Sequence, residues 1–558
     1  MPTTPFSLLQ TTIFLSFFFM LAVLSTAKAQ EVLSQDQSTA LHRGIYELTL
    51  NTIGEAGNPY YDISFDITFT RPDGSEVLAE GFFDGGNAFK ARAYCDTPGV
   101  WEWTSSSNNP GLDGKSGTFE VLRSELKGKL RQHPEDPYQF AYDNGAWFLH
   151  IGDTGYRFVV ASEPHWQEYI DQAAEMGATK VRTWFAMDRG KVDALFTSNG
   201  RDLSLFYWKE IERRILYTLH HHPDLVLQLI PYAEDTDRIR AYRAGDEAAQ
   251  LIARYAQARW SAFPNVQWTI TNDRKIVQQD TLTGRQVHYD DIDVMGEDMA
   301  TREPWGTLLT NHQSRFNGYD HVEEPWSDFI SLEDLDQVGG TLILEYRGKR
   351  EQPIVLDEDR YEMYRYPMHR RYYFRRFMWV SLLSGGHATY GGLKTYLPYG
   401  GQNYSGPESS VAVGAEPYAG LDQGVSGYFD ANRKGMLHQG AHDFRHIHTF
   451  FEHTGLTLVN MQPDDALVGD DPYQWKCAHN DDTYIIYLAN PSGTAPGTDY
   501  PNTTAPDVAL TLPRGNFSVT WFDPDTGGWF RDNDIEGRQS LTLEAPGGED
   551  WIVLLQRL

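Results

Sequence analysis

The sequence predicts three folded units in a row: a β-sandwich, a central (β/α)8 barrel of the TIM type, and a second β-sandwich. Residues 38–122 and 456–558 carry short apolar-polar alternations broken by turn residues, the period-2 signature of half-buried strands. Residues 134–455 instead alternate strand-like apolar runs with helical stretches, as parallel βα units do. Two of those runs stop abruptly at carboxylates, which is how a barrel strand carries an acid into its mouth.

The first 29 residues read as an export leader. Ile13 to Leu24 is a continuous apolar-leaning run, and Ala27-Lys28-Ala29 puts small residues at the two positions a signal peptidase reads. No Lys or Arg precedes the run, and it is short for a membrane span. The expected location is secreted or periplasmic, with no membrane contact after cleavage.

In the unit at 38–122, Tyr46-Glu-Leu-Thr-Leu50, Asp62-Ile-Ser-Phe-Asp-Ile-Thr-Phe69 and Val100-Trp-Glu-Trp-Thr104 alternate in polarity. Turns fall at Pro72-Asp-Gly74, Asp84-Gly-Gly86 and Pro110-Gly111. That pattern fits an immunoglobulin-type sandwich. Between 134 and 455, eight strands can be placed: Trp147–Ile151, Thr179–Trp184, Leu225–Ile230, Val266–Ile270, Gly306–Thr310, Asp328–Leu332, Pro353–Leu356 and His387–Tyr390. Helices are expected at Trp166–Met176, Glu247–Phe263 and Met368–Leu383. After 456, strands return at Asp482–Leu488, Ser518–Phe522 and Trp551–Leu555, with a turn at Asp523-Pro-Asp-Thr-Gly-Gly528.

Composition narrows the partners. The chain has 558 residues, a net charge of −30 and a pI near 4.9, so its field repels nucleic acid and anionic lipid. Cys95 and Cys477 are the only cysteines and read as two free buried thiols, the alternative being a disulfide between domains. No glycine-rich phosphate loop, nucleophile elbow or His-Glu-x-x-His helix occurs, so no cofactor is expected and a peptidase has little support. His220-His-His222 reads as a solvated helix end, and His442 and His446 lack a closed acidic partner set, so no metal is expected either.

Barrel sites lie at strand C-termini, which turns the strand list into a list of candidate residues. Strand one ends in Asp153, strand two in Arg182 and Trp184, strand three in Tyr232, Glu234 and Asp235. The rest end in Asn272-Asp273, Asn311-His312, Glu333, Asp357-Glu358, and His387 with Tyr390. Cleavage of a glycosidic bond with retention needs a carboxylic acid and a carboxylate about 5–5.5 Å apart. Asp273 on strand four and Glu358 on strand seven face each other across the mouth and are the candidate acid and nucleophile. Asp357, Asp359 and Glu362 compete with Glu358, and spacing alone does not separate them. Tyr361 is placed to keep Glu358 ionised. Asp153, Trp184, Asn272, His312, His387 and Tyr390 complete the candidate substrate-binding set.

Gly152-Asp-Thr154, Thr310-Asn-His312, Glu358 with Tyr361-Glu362, and Ser384-Gly-Gly-His-Ala-Thr-Tyr-Gly391 resemble motifs of the apiosidase-like glycoside hydrolases. The region after 456, with its Trp521-Phe-Asp-Pro-Asp-Thr-Gly527 turn, resembles the β-sandwich that follows such barrels. The resemblance implies a retaining enzyme with its nucleophile at Glu358 and its acid/base at Asp273. Asn272 departs from it, since the family usually has Gly there. So does Leu393-Lys-Thr-Tyr396, which lacks the Trp common after strand eight. The expected activity is hydrolysis of plant or algal polysaccharide or oligosaccharide. The alternative is a carbohydrate-binding protein whose barrel has lost catalysis.

Overall fold

The computed structural model describes the chain from residue 32 onward, apart from 35–37, 55–56, 161–164, 186–194, 280, 363–368, 370, 393–439, 470, 494–499 and 538–539. The expected export leader and the Leu393-Lys-Thr-Tyr396 segment lie outside the described residues.

The N-terminal strands form a five-stranded and a three-stranded sheet. Phe65, Ile67 and Phe69 point inward on one strand while Asp66, Thr68 and Thr70 are only half-buried, as the alternation requires. Tyr46 stacks on Phe119 at 3.7 Å across the two sheets, and Trp101 is fully buried beside them. At the other end of the chain, the strand Thr483–Leu488 is buried along its whole length and pairs with Trp475–His479 and Trp551–Arg557. Cys95 and Cys477 are free and buried, one in each flanking unit.

Between them, eight parallel strands form one sheet. They are β1 (Ile151–Thr154), β2 (Lys180–Trp184), β3 (Val226–Ile230), β4 (Val266–Thr269), β5 (Leu309–Thr310), β6 (Ile330–Glu333), β7 (Ile354–Glu358) and β8 (His387–Tyr390). The sheet runs β5-β4-β3-β2-β1-β8-β7-β6. A parallel bridge from His312 to Ser331 and a bond from Asp328 N–H to Leu309 C=O at 2.9 Å close it. Helices follow the strands: α1 (His165–Glu175), α2 (Leu205–His221), α3 (Thr236–Arg243), α4 (Glu247–Trp260), α5 (Tyr289–Thr301), α6 (Thr341–Arg347), α7 (Arg371–Leu383) and α8 (Phe444–Thr454). On α2, Trp208, Ile211, Ile215 and Leu219 recur every three or four residues and form its buried stripe. Asp246 starts α4 by accepting a bond from Ala249 N–H. No helix links β5 to β6; that crossover consists of turns.

Strand one starts later than its sequence pattern suggests. Trp147–Phe148 joins Leu130–Gln132 and Phe140–Tyr142 in a small antiparallel sheet, and the barrel strand begins at Ile151. Leu130, Phe140, Tyr142 and Phe148 from this sheet pack against Val226, Leu308, Phe329 and Val355 at the strand N-termini, so the sheet plugs the barrel floor. The apolar run at Trp147 is a floor plug because the same residue types suit either role.

Both flanking units are pinned to the barrel by buried ion pairs. Arg92 of the first sandwich forks onto Glu212 of α2 at 2.8 and 2.9 Å, and Arg259 of α4 reaches Asp84 at 2.9 Å. On the other side Arg375 of α7 meets Asp550 and, through Nη1, Asp443 at 2.7 Å and Asp525 at 2.9 Å. Asp525 lies in the turn after Phe522, so this turn is a docking element. Breaking one member of such a set leaves a buried charge unpaired, at a cost of about 3–5 kcal/mol.

Candidate active site

Side chains on a strand alternate between the barrel lumen and the helix layer, so parity decides who can meet in the mouth. On β7, Val355 and Asp357 point into the lumen, while Ile354 and Leu356 pack outward. Asp357 lies at the centre of a polar layer. It accepts from Gln228 of β3 at 3.0 Å, Ser331 of β6 at 2.6 Å and Thr389 of β8 at 2.8 Å, and it pairs with the ammonium of Lys180. That layer spends every visible bond of Asp357 inside the barrel. The Lys180 and Arg182 charges, against burial, hold its carboxyl far below the usual range.

Strict alternation would send Glu358 outward. The β6–β7 register slips between Leu332 and Glu333, so that Leu332 pairs with Leu356 but Glu333 pairs with Glu358. This bulge re-aims the strand end, and Asp357 and Glu358 both face inward. Glu358 Oε2 accepts from Arg182 Nη2 at 2.6 Å and from the Tyr156 hydroxyl at 3.3 Å. Burial opposes its charge, but Arg182 above all, then His312 and a bond from Tyr361, keep the carboxyl below its ordinary value. The ring of Tyr361 passes so close to Gly391 that a Cβ there would lie 2.5 Å from it.

Asn272 joins the same cluster. Its Oδ1 accepts from Arg182 Nη1 at 3.1 Å and from Tyr156 at 3.3 Å. Asp273 follows in a left-handed conformation, φ 48°, as does Ala233 at the end of β3, φ 44°. Such backbone is strained for a residue with a Cβ and clusters at functional sites. Asp273 N–H donates to Nδ1 of His312 at 3.3 Å, and Arg285 holds Oδ2 at 2.8 Å. Because Nδ1 accepts, the ring proton of His312 sits on Nε2, which lies 4.0 Å from Glu358 Oε2. Burial and the Arg182 charge bring His312 down to about 3, so it is neutral. For Asp273, burial and then the negative charges of Glu358 and Glu234 win over Arg274 and Arg285, and its carboxyl rises to about 6.

Trp184 is buried rather than presented to solvent. It stacks on Tyr156 at 4.0 Å, and its indole N–H has no partner among the described residues. Three candidates stand away from this cluster. Asp153 and Tyr390 have outward parity: Asp153 accepts from Tyr169 of α1 at 2.6 Å, and Tyr390 bonds Glu362 and packs on Phe374 and Phe444. His387 faces the lumen but at its floor, against Phe140 and the carbonyl of Tyr138. Asp359 caps the backbone of Asp336 and Gln337. The rivals of Glu358 thus each have another partner set. Arg182, Tyr156 and Glu333 belong to the cluster but not to the candidate binding set. Arg182 shares the parity of Trp184, which was the available signal. Tyr156 lies beyond the strand and offered none.

Atoms of His312, Glu333 and Glu358 lie within 4.8 Å of one another, a group able to hold a cation. Arg182 already places its charge on Glu358, so a cation there would compete with it. Among the described residues no helix is long and apolar enough to cross a membrane.

The eight-stranded parallel barrel between two β-rich units has the fold of the glycoside-hydrolase-like barrels. A candidate glycoside hydrolase of Bacteroides vulgatus superposes with a TM-score of 0.68 at 18% identity, over 94% of this chain and 100% of its own. A family 5 glycoside hydrolase of the same organism gives 0.60 at 12% identity, over 77% and 93%. A third glycoside hydrolase gives 0.58 at 14%, over 77% and 97%. At such identities the likeness shows the fold. Residues 135–457, more than half of the chain, match the family model of the apiosidase-like catalytic domain, and the chain belongs to that family. Residues 44–108 match a domain of unknown function, DUF5060. No curated protein sequence matches the chain.

Proposed function

We propose that this protein is an exported glycoside hydrolase that cleaves plant or algal polysaccharide with retention, using Glu358 as nucleophile and Asp273 as acid and then base. One observation carries the reading: Glu358 and Asp273, at the ends of β7 and β4, meet at His312, whose ring nitrogens face the Asp273 N–H at 3.3 Å and Glu358 Oε2 at 4.0 Å, and their surroundings push the two carboxyls in opposite directions. Arg182, at 2.6 Å, keeps Glu358 charged for attack on the anomeric carbon. Burial and neighbouring negative charge keep a proton on Asp273 for the departing oxygen. Once Glu358 is esterified its negative charge is gone, so Asp273 becomes more acidic. It is then ionised in time to take a proton from the attacking water.

His312 links the two residues, since one ring nitrogen holds the Asp273 backbone and the other points at Glu358. The test is release of reducing ends from a panel of pectic side chains, xylans and marine polysaccharides, with the first-formed anomer read by proton NMR. Release with retained configuration is expected. Inverted product overturns the nucleophile, and binding without release overturns catalysis.

A further inference from the structure

Glu333 is the carboxyl that a two-carboxylate mechanism leaves unused. It ends β6, and the register slip brings it level with Glu358 on β7. Its side chain is 1% exposed. Arg315, from the turns after β5, reaches Oε1 at 2.9 Å, while Oε2 is buried with no partner among the described residues. A Glu333 oxygen, a Glu358 oxygen and a His312 nitrogen all lie within 4.8 Å of one another.

Two buried carboxylates this close do not both stay ionised unless each has its own cation. Glu358 has the fully buried Arg182, whereas Arg315 is one-third exposed and its charge is screened. The proton therefore goes to Glu333: burial, then the charges of Glu358 and Asp273, raise its carboxyl well above the usual range. With Oε1 accepting from Arg315, the O–H sits on Oε2. Nε2–H of His312 is a second buried donor beside it, without a partner among the described residues. Unspent donors in a dry site have a high cost unless a ligand takes them up, and the ligand must bring an oxygen acceptor.

We propose that Glu333 is a specificity-determining residue: its carboxyl O–H donates a hydrogen bond to one ring hydroxyl of the sugar that Glu358 attacks. The proposal rests on the glycoside-hydrolase reading of Glu358. It commits the enzyme to glycosides that bear a hydroxyl at that position, because without it two buried groups are left unpaired.

The test uses 4-nitrophenyl glycosides and the monodeoxy versions of whichever is cleaved, with wild type, Glu333→Gln and Glu333→Ala. One deoxy position should cost wild type about tenfold or more in kcat/KM. It should cost Glu333→Ala nothing further. Glu333→Gln, whose amide N–H replaces the O–H in the same volume, should keep the preference. A second readout does not depend on turnover: the infrared difference between wild type and Glu333→Gln at neutral pH should carry the C=O band of an un-ionised carboxylic acid. Equal deoxy penalties in all three proteins overturn the proposal, and so does a missing band. If no glycoside is turned over by wild type, the glycoside-hydrolase reading falls and this one falls with it. Turnover with no coupling to Glu333 sinks Glu333 alone.

Discussion

At the floor of the barrel, the rings of His150 and His387 lie 5.2 Å apart under Phe140, Phe148 and Phe329. At the mouth, Arg182, Glu358, Asp273 and Glu333 converge within the same ring of strands. Burial acts on both groups and lowers the floor histidines, His387 to about 4, so that both are neutral. The mouth is as dry, yet Glu358 stays charged because a guanidinium touches it. Burial alone thus silences a titratable group, and burial beside one unbalanced charge sorts several groups into opposite protonation states. Mutations at the floor should register as stability and mutations at the mouth as chemistry.

The largest effect expected is from Glu358→Ala, which should lose about 10⁴-fold or more in kcat on every substrate. Azide should restore part of it with inverted product. Next, Asp273→Ala should lose about 10²–10⁴-fold on natural glycans but little in the first step with an activated aryl leaving group. Equal, mild losses in both variants would move the chemistry elsewhere, to Asp357 or Glu234.

At the floor, Phe140→Ala should cost about 3–5 kcal/mol in a denaturant titration and leave kcat/KM unchanged below the melting range. A kinetic defect there would break the contrast between the two ends.

The pH profile sharpens it. In the proposed mechanism Glu358 acts as the anion, and its carboxyl is lowered, so activity should fall as pH drops through that lowered value. Asp273 is the proposed acid and sits at about 6, so kcat/KM should fall again as pH rises through that region. Replacing Arg182 with Met should move the acid limb to higher pH, because the largest stabiliser of the Glu358 anion is removed. The smallest effect is expected from His387→Gln, whose pH profile should overlay wild type.

Much of this was legible in the residues. The eight strand runs lie on or beside the eight barrel strands, since a barrel strand packed under helices keeps apolar residues on its outward face. The Asp273 and Glu358 positions were legible because each ends an apolar strand run, where the chain leaves the barrel at its mouth. What misled was treating every polar strand end as a wall of the site. Asp153 and Tyr390 lie at strand ends with outward parity, and His387 begins its strand instead of ending it. Glu333 was visible as a strand end, but the oxygen it leaves without a partner among the described residues was not.

The sequence by itself determined the order of the three units, the strands of the barrel and the carboxylates at their ends, because period and polarity are local properties. Tertiary structure alone decided which of Asp357 and Glu358 is buried in the lumen layer and which reaches the mouth. That choice depends on a one-residue register slip against β6. It also decided which carboxyl keeps its proton, because that depends on how well each one's cation is buried, and Arg182 reaches Glu358 from a strand far away in the chain while the partly exposed Arg315 reaches Glu333.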